Sequence, residues 1–362
     1  MLADRHRYRQ AALIFRRLLD EKPDATRVRL ELARVLLALG DEAGARRQAS
    51  QARATGVPPD VAAVIDRFTT SARSIKRFGG SFEASLAPDS NINRSTSAQV
   101  LDTVIAPLNL SATARAQSGL GLRASGQTFG RLPLATHLGL LAEVSMDAGV
   151  YRRSEFNDIS ASILVGPEIS FRRDRVRPAL ALTERWYGGR LYAATRSLSV
   201  DWHHALDGST QVVSNLSYNP VTYPLNRRQS GAISAASVSL ERALTPRMGG
   251  ALSVAFNRQS ARDSGYAYTS AATSARLWRE TGRMTLFGQA SVSGLTADAR
   301  LFPFIARRQD RLLRLTGGVV VRRLQVRGFA PVVRLTQEWN HSSVSLYAYR
   351  RTALEIGINR AF

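Results

Sequence analysis

The sequence predicts a short α-helical region followed by an antiparallel, up-and-down transmembrane β-barrel of about fourteen strands. Three observations carry that prediction. Apolar and polar side chains alternate with a period of two in segment after segment beyond residue 77. The connections between segments are short and long by turns, and the last segment stops on an aromatic residue, Phe362.

The amino-terminal region, 4–74, has helical periodicity and few β-branched runs. Ala11, Phe15, Leu18 and Pro23 recur as Ala45, Ala49, Ala52 and Val57, followed by Pro58, a repeat of about 34 residues. Leu32-Ala33, Leu36 and Gly40-Asp41 lie between them. The order resembles the tetratricopeptide repeat, although Arg29 stands where a bulky apolar residue is usual. A further helix over 60–70, starting at Asp60 after two prolines, is expected to bury Val61, Ala62, Val64 and Ile65. The array opens on the second half of a repeat. Met1-Leu-Ala-Asp-Arg-His-Arg runs into a charged helix with no secretory signal, so a longer natural precursor is expected. The expected division is a periplasmic helical domain over 1–74 and an outer-membrane barrel over 75–362.

Each strand segment has about the ten residues that a tilted strand needs to cross a bilayer. Phe78, Gly80, Phe82, Ala84 and Leu86 form the first lipid-facing row, with Ser81, Glu83 and Ser85 turned inward. Leu138, Leu140, Ala142, Val144 and Met146 form a second, opposed by Glu143, Ser145 and Asp147. Further rows run along Ile159–Val165, Leu198–Trp202, Ala236–Leu240, Leu252–Phe256, Leu286–Val292 and Leu313–Val321. A helix would place apolar residues three and four apart, and these segments do not.

Outer-membrane barrels have short periplasmic turns and longer outer loops, which makes the connections a second test. A long polar stretch at 88–112 is followed by a short connection near Gly130–Leu134, a longer one at Tyr151–Asn157 and a short basic one at Arg172–Arg175. Then Trp186–Thr195 reads as long, Asp207-Gly208 tight, Tyr218–Gln229 long and Thr245-Pro246 short. Gln259–Tyr266 long, Thr281-Gly282 tight, Ala297–Arg308 long and Leu324–Gly328 short complete the series. An even strand number leaves both barrel ends on one side.

No run of eighteen apolar residues occurs in the 362-residue chain, which excludes a transmembrane helix. Cysteine is absent, so there is neither a disulfide framework nor a thiolate metal site. The net charge of +22 comes almost wholly from arginine, the only lysines being Lys22 and Lys76. The arginines are spread over every loop instead of clustering with aromatics, so nucleic acid is not an expected partner; anionic outer-leaflet lipid, including lipopolysaccharide, is. The five histidines have no ligand-spaced partners, and no cofactor or metal is expected.

Two ordered signatures point to a known family. One is Ala87-Pro88-Asp89-Ser90-Asn91-Ile92-Asn93. The other comprises Arg308-Gln309-Asp310, Gly328-Phe329-Ala330-Pro331, Ser342 and Tyr347-Ala348-Tyr349-Arg350-Arg351, leading into Ile356 to Phe362. In these the chain resembles the surface lipoprotein assembly modulators of Gram-negative bacteria, with Ser343 where that family often has asparagine. The resemblance implies periplasmic tetratricopeptide repeats, a fourteen-stranded outer-membrane barrel and a translocator that delivers a lipoprotein or secreted protein client to the cell surface. It assigns motif positions to Pro88, Asp89, Asn91, Asn93, Gly328, Pro331, Tyr347, Tyr349 and Arg351. Phe362 is assigned to the carboxy-terminal signal read by the barrel-assembly machinery.

Transport needs no bond chemistry, so no catalytic residue is expected. The candidate lumen-facing charges are Glu83, Glu143, Glu168, Arg314, Arg334, Glu338, Arg351 and Glu355; the plainer account of any one of them is a wet lumen or a strand-to-strand ion pair. Trp186, Tyr187, Trp202, Tyr218, Trp278 and Trp339 are candidates for aromatic girdles. Two alternatives compete. A repeat-linked exopolysaccharide-export porin shares the architecture. An outer-membrane hydrolase would use His341 and Ser343, two apart on one strand face, but has no identified carboxylate or oxyanion donor.

Overall fold

The computed structural model describes residues 2–39, 41–54, 61, 77–281 and 283–361. The helix expected over 60–70, apart from Val61, lies outside them, as do the 74/75 boundary and Phe362. Three helices come first: α1 (Leu2–Glu21), α2 (Thr26–Leu39) and α3 (Glu42–Arg53). Their core is built on Ala12, Leu19, Leu32, Ala33, Leu36 and Ala45, small and large residues that let the helices approach closely. Asp41 caps α3, its carboxylate accepting the Gly44 N–H at 2.7 Å. Leu18, counted in the repeat, is exposed, and Leu19 takes the core position.

The strands follow as β1 (Phe78–Asp89), β2 (Val100–Leu101), β3 (Leu108–Asn109), β4 (Gly119–Ala135), β5 (Leu138–Tyr151), β6 (Asp158–Phe171), β7 (Asp174–Tyr187) and β8 (Arg190–Ala205). The second half comprises β9 (Thr210–Thr222), β10 (Gly231–Thr245), β11 (Met248–Ala261), β12 (Tyr268–Thr281), β13 (Met284–Ala297), β14 (Gln309–Val321), β15 (Ala330–Ser342) and β16 (Tyr349–Ala361). β2 and β3 form a small ribbon in the first long loop; the other fourteen close into one antiparallel barrel, with β16 pairing β1. The fold expected from alternation is the fold found.

Alternation sets the two faces. In β10 and β11, Leu240 faces Leu252 and Val238 faces Val254 on the outside, while Ser239 faces Ser253 inside with their hydroxyls 2.9 Å apart. Leu252, Leu216 and Leu180 are 61–63% exposed, because the outer face of a spanning barrel meets hydrocarbon instead of a protein core.

The connections differ from expectation at three places, one being the β14–β15 link, expected short at Leu324–Gly328, which runs over 322–329 and is as long as the β9–β10 loop over 223–230. The Trp186–Thr195 segment is not a long loop: Tyr187 pairs Arg190, and Gly188-Gly189 make a two-residue tip. Both glycines have positive φ, 56° and 75°, the geometry of a tight hairpin turn that lets pairing continue to the end. The first short turn lies at 136–137, because β4 continues past Pro133 to Ala135 with a register shift between those residues. Tyr187 and Trp278 also depart from the girdle expectation. Tyr187 lines a lumenal cavity, and Trp278 lines a second cavity together with Arg276 and Glu280, two residues to either side on the same strand face.

Candidate functional site

Inward-facing charges gather on the sector where the sheet closes. Cross-strand register places Arg314 of β14 opposite Glu338 of β15, and Glu338 opposite Arg351 of β16. Signs therefore alternate across three strands. The Glu338 carboxylate is 1% exposed and accepts from Arg314 Nε at 2.9 Å, Arg351 Nη1 at 3.2 Å, Arg94 Nε at 3.1 Å and the Tyr349 hydroxyl at 3.1 Å. Arg351 turns its remaining N–H groups on Asp89 of β1, with Nη2 2.7 Å from Oδ2.

A second cluster sits nearer the short-turn end. Glu355 of β16 accepts from Arg334 of β15 and, at 3.2 Å, from Arg123 Nη1 of β4. Arg334 also pairs with Glu83 of β1 at 3.0 Å. Buried carboxylates of this kind are tolerable only because each is paired and hydrogen-bonded several times. Six of the eight charges picked out in the sequence meet here: Glu83, Arg314, Arg334, Glu338, Arg351 and Glu355. Glu143 lies apart on β5, and Glu168 of β6 pairs with Arg131 at 3.3 Å.

The motif residues fold the first long loop onto this wall. Asn91 is 2% exposed; its side-chain amide donates to Ser95 O at 2.8 Å and Arg350 O at 3.1 Å and its oxygen accepts the Ser95 N–H. Asn93 bridges the loop's two limbs, donating to Arg115 O at 2.8 Å and accepting from Gln117 N at 3.1 Å. Arg94, which sequence reasoning passed over, takes a left-handed turn with φ 47° and reaches Glu338. Its signal was its place directly after Asn93. Leu101 packs with Phe304 and Val344, so the first loop shares one apolar cluster with the β13–β14 and β15–β16 loops. Arg308 stacks 3.7 Å from the Tyr347 ring at the same end. Gly328 turns the β14–β15 connection with φ 91°, and Pro331 sits opposite Ile358.

At the short-turn end the helices dock on the barrel. Arg29 is buried at 2% exposure and donates to Gln48 Oε1 at 3.0 Å, Gln51 Oε1 at 2.8 Å and Pro23 O at 2.9 Å, so the residue unusual for a repeat ties α2 to α3. Burial pushes its guanidinium down to about 10, still charged at neutral pH. Gln48 Nε2 in turn donates to Glu280 of β12. Arg47 and Arg322 lie 3.6 and 3.8 Å from the same carboxylate, and Arg247 Nη2 donates to the Asp20 carbonyl at 2.7 Å.

A sequence profile described as surface lipoprotein assembly modifier matches residues 78–362, and a tetratricopeptide-repeat profile matches residues 2–67. The chain belongs to the surface lipoprotein assembly modifier family. Membership together with the closed barrel places this modifier in the outer membrane with a role in surface lipoprotein assembly. No curated protein matches it. Among solved structures it is similar to a bacterial polysaccharide outer membrane secretin, with 10% identity over 78% of this chain and 98% of that one and a TM-score of 0.42. Outer-membrane expressed OmpT of Vibrio cholerae gives 10% over 79% and 97% with a TM-score of 0.41. An anion-selective porin from Comamonas acidovorans gives 10% over 79% and 98% with a TM-score of 0.40. Ser343, one of the two residues weighed for hydrolase chemistry, has a structural use in the modifier. The Ser343 hydroxyl donates to Arg307 O at 2.7 Å and accepts the Gln309 N–H at 2.8 Å, which pins the β15–β16 loop to the β13–β14 loop.

Proposed function

We propose that this chain is an outer-membrane translocator that moves lipoproteins, or secreted proteins, from periplasm to cell surface. In this reading the helical unit of 1–74 stands on the periplasmic side and receives the client, and the barrel of 75–362 supplies the passage. One observation carries it: a repeat of a protein-binding type is fastened to the short-turn mouth of a polar-lined barrel through Gln48–Glu280 and Arg247–Asp20. A receptor held at an entrance shortens the client's search, since tethering turns a second encounter into an intramolecular one. The wall charges pair with one another, which leaves a wet surface without a fixed binding geometry.

The test is co-expression with candidate lipoproteins in Gram-negative cells that lack a modifier of this family. Surface labelling or protease access on intact cells is expected to appear only with the modifier present. Clients that stay periplasmic while a glycan is exported would reverse the assignment.

A further inference from the structure

The lipid-facing wall beside the closing seam carries positive charge without a counter-charge among the described residues. Arg311 of β14 faces outward in the row of Leu313 and Leu315, His341 of β15 in the row of Trp339 and Leu335, and Arg350 of β16 in the row of Ile356. Register sets Arg311 directly opposite His341 and Trp339 directly opposite Arg350, which makes one patch across three strands. Arg311, His341 and Arg350 are all exposed, and each stands within two residues of the outer-loop end of its strand.

No carboxylate faces these arginines across the sheet. Opposite Arg311 stand Gly294 and His341, and opposite Arg350 stands Trp339. On the neighbouring wall the outward Asp298 is already taken by both Nη groups of Arg258. Asn91 donates to the Arg350 carbonyl at 3.1 Å, which fixes the backbone under the patch. Two strand spacings, about 10 Å, separate the backbones of Arg311 and Arg350, so two long arms can close on one phosphate group or on a pair. Below the patch, an apolar groove of about 590 Å³ opens on the same wall between Leu277, Leu315 and Leu335, over Ala290 and Gly317. It starts at Leu315, about 13 Å down the strand from Arg311. At the short-turn end, Arg279 is exposed on the face of Leu277, in place of the cluster found above.

We propose that patch and groove together bind a phosphorylated lipid of the outer leaflet, of the lipopolysaccharide type. Arg311 and Arg350 take its phosphate, His341 adds a ring N–H, and an acyl chain lies in the groove. The inference rests on the barrel's place in the outer membrane and is independent of the translocator reading. Guanidinium groups match phosphate oxygens with paired hydrogen bonds, and tryptophan at headgroup depth, here Trp339, marks the membrane boundary. Charge complementarity selects the phosphate. The groove, set in the apolar band below, selects a lipid over a free anion. Two arginines at the outer rim against Arg279 alone select the outer leaflet. A lipid held this way bridges β14, β15 and β16 beside the seam.

The test titrates purified full-length protein in neutral detergent with rough lipopolysaccharide and with the same lipid stripped of phosphate by a phosphatase, counted as bound mass by native mass spectrometry. The phosphorylated lipid is expected to bind saturably and the stripped lipid much more weakly. Arg311→Gln and Arg350→Gln should each weaken binding by roughly tenfold, about the loss of one hydrogen bond to a charged group, while Arg279→Gln leaves it unchanged. Gly317→Leu should weaken it too, because a Cβ there meets nothing closer than the Phe287 carbonyl oxygen at 4.0 Å, so the side chain fills the groove without a clash. Heat-modifiable gel mobility verifies that each barrel has folded. Equal binding of the stripped lipid, indifference to both outer-rim changes, a loss in Arg279→Gln as large as in Arg311→Gln, displacement by inorganic phosphate at equal concentration, or full binding to Gly317→Leu would each overturn the proposal. A dimer that excludes lipid would overturn it in favour of a second copy of the chain in the groove.

Discussion

Arg351 grips Asp89 across the seam at which the last strand closes on the first, with Nη2 2.7 Å and Nε 2.9 Å from the same carboxylate oxygen. The grip sits where the ladder is weakest. β1 and β16 pair from Ser81 to Leu86, lapse at Ala87 and Pro88, and resume at Asp89 opposite Ala353. Proline has no N–H to offer the ladder. Nor can the seam be filled with bulk, since a Cβ on Gly357 would lie 2.1 Å from the Ala84 carbonyl oxygen.

Removing one partner of this clasp should therefore cost far more than a surface ion pair. The side chains are 4% and 2% exposed, so Arg351→Ala leaves Asp89 charged and buried, and a loss of about 3–5 kcal/mol is expected. Replacing both residues with leucine should cost much less than the two single changes added together, because they are coupled. Urea unfolding of the purified barrel in detergent reads both values. A single-variant loss under about 1 kcal/mol would mean that the seam does not depend on the clasp.

Glu338 is the joint between wall and first loop. Glu338→Ala removes the acceptor of Arg94 and leaves Arg314 and Arg351 facing each other without their shared counter-charge. The expected outcome is faster trypsin cleavage after Arg94, by roughly tenfold for each 1.4 kcal/mol of lost local stability. An unchanged cleavage rate would show that the Leu101 cluster alone holds the loop.

The barrel was legible because its signal is local. Val238, Leu240, Leu252 and Val254 announce a lipid-facing row by spacing alone, and turn residues mark where each row ends. The clasp was not legible as a pair, since Arg351 and Asp89 are 262 positions apart and meet only once every register between them is set. Trp278 misleads for another reason: a period of two assigns a residue to one of two faces, and an aromatic at a strand end suits a lipid girdle as well as a lumen. Gly188-Gly189 lie in a stretch whose composition suggests a loop, although two adjacent glycines are what a two-residue hairpin requires. Arg29 stands out as a departure from the repeat, but its role depends on Gln48 and Gln51 a helix away.

Arg29→Leu tests that role. The leucine fits an apolar position but leaves the Gln48 and Gln51 oxygens and the Pro23 carbonyl without their donor, a cost of about 1–3 kcal/mol for each group that stays buried. The helical far-UV signal should melt at lower temperature while the barrel's gel mobility stays unchanged. Unaltered helical melting would show that the apolar contacts of α2 suffice.

Asp298, on the outer β13–β14 loop, carries a pH dependence. The bidentate hydrogen bonds from Arg258 hold its carboxyl below the ordinary value of 3.8. A carboxyl lowered by folding adds stability above its unfolded value and loses it as pH falls through the folded one. The pair is about one-third exposed or more, so the effect is under about 1 kcal/mol and local to the loop. Hydrogen exchange in 298–308 should quicken below pH 3.8 in the native chain and show no such step in Asp298→Asn.

Glu280 decides whether the helical unit stays seated. Its carboxylate is the common partner of Gln48 and Arg47 from α3 and of Arg322 from the β14–β15 turn, so one substitution strips the joint on both sides. Glu280→Lys converts that centre to like charge and is expected to release α3, while the Arg247–Asp20 contact to α1 remains. Two readouts should move together: protease sensitivity of the helical unit rises, and conductance of the barrel in planar bilayers increases as the short-turn mouth opens. Adding Arg47→Glu to Glu280→Lys restores an opposite-charge pair and should recover part of both. Conductance that rises without added protease sensitivity would place the barrier inside the barrel wall, with the first loop and its Arg94–Glu338 anchor as the element to mutate next.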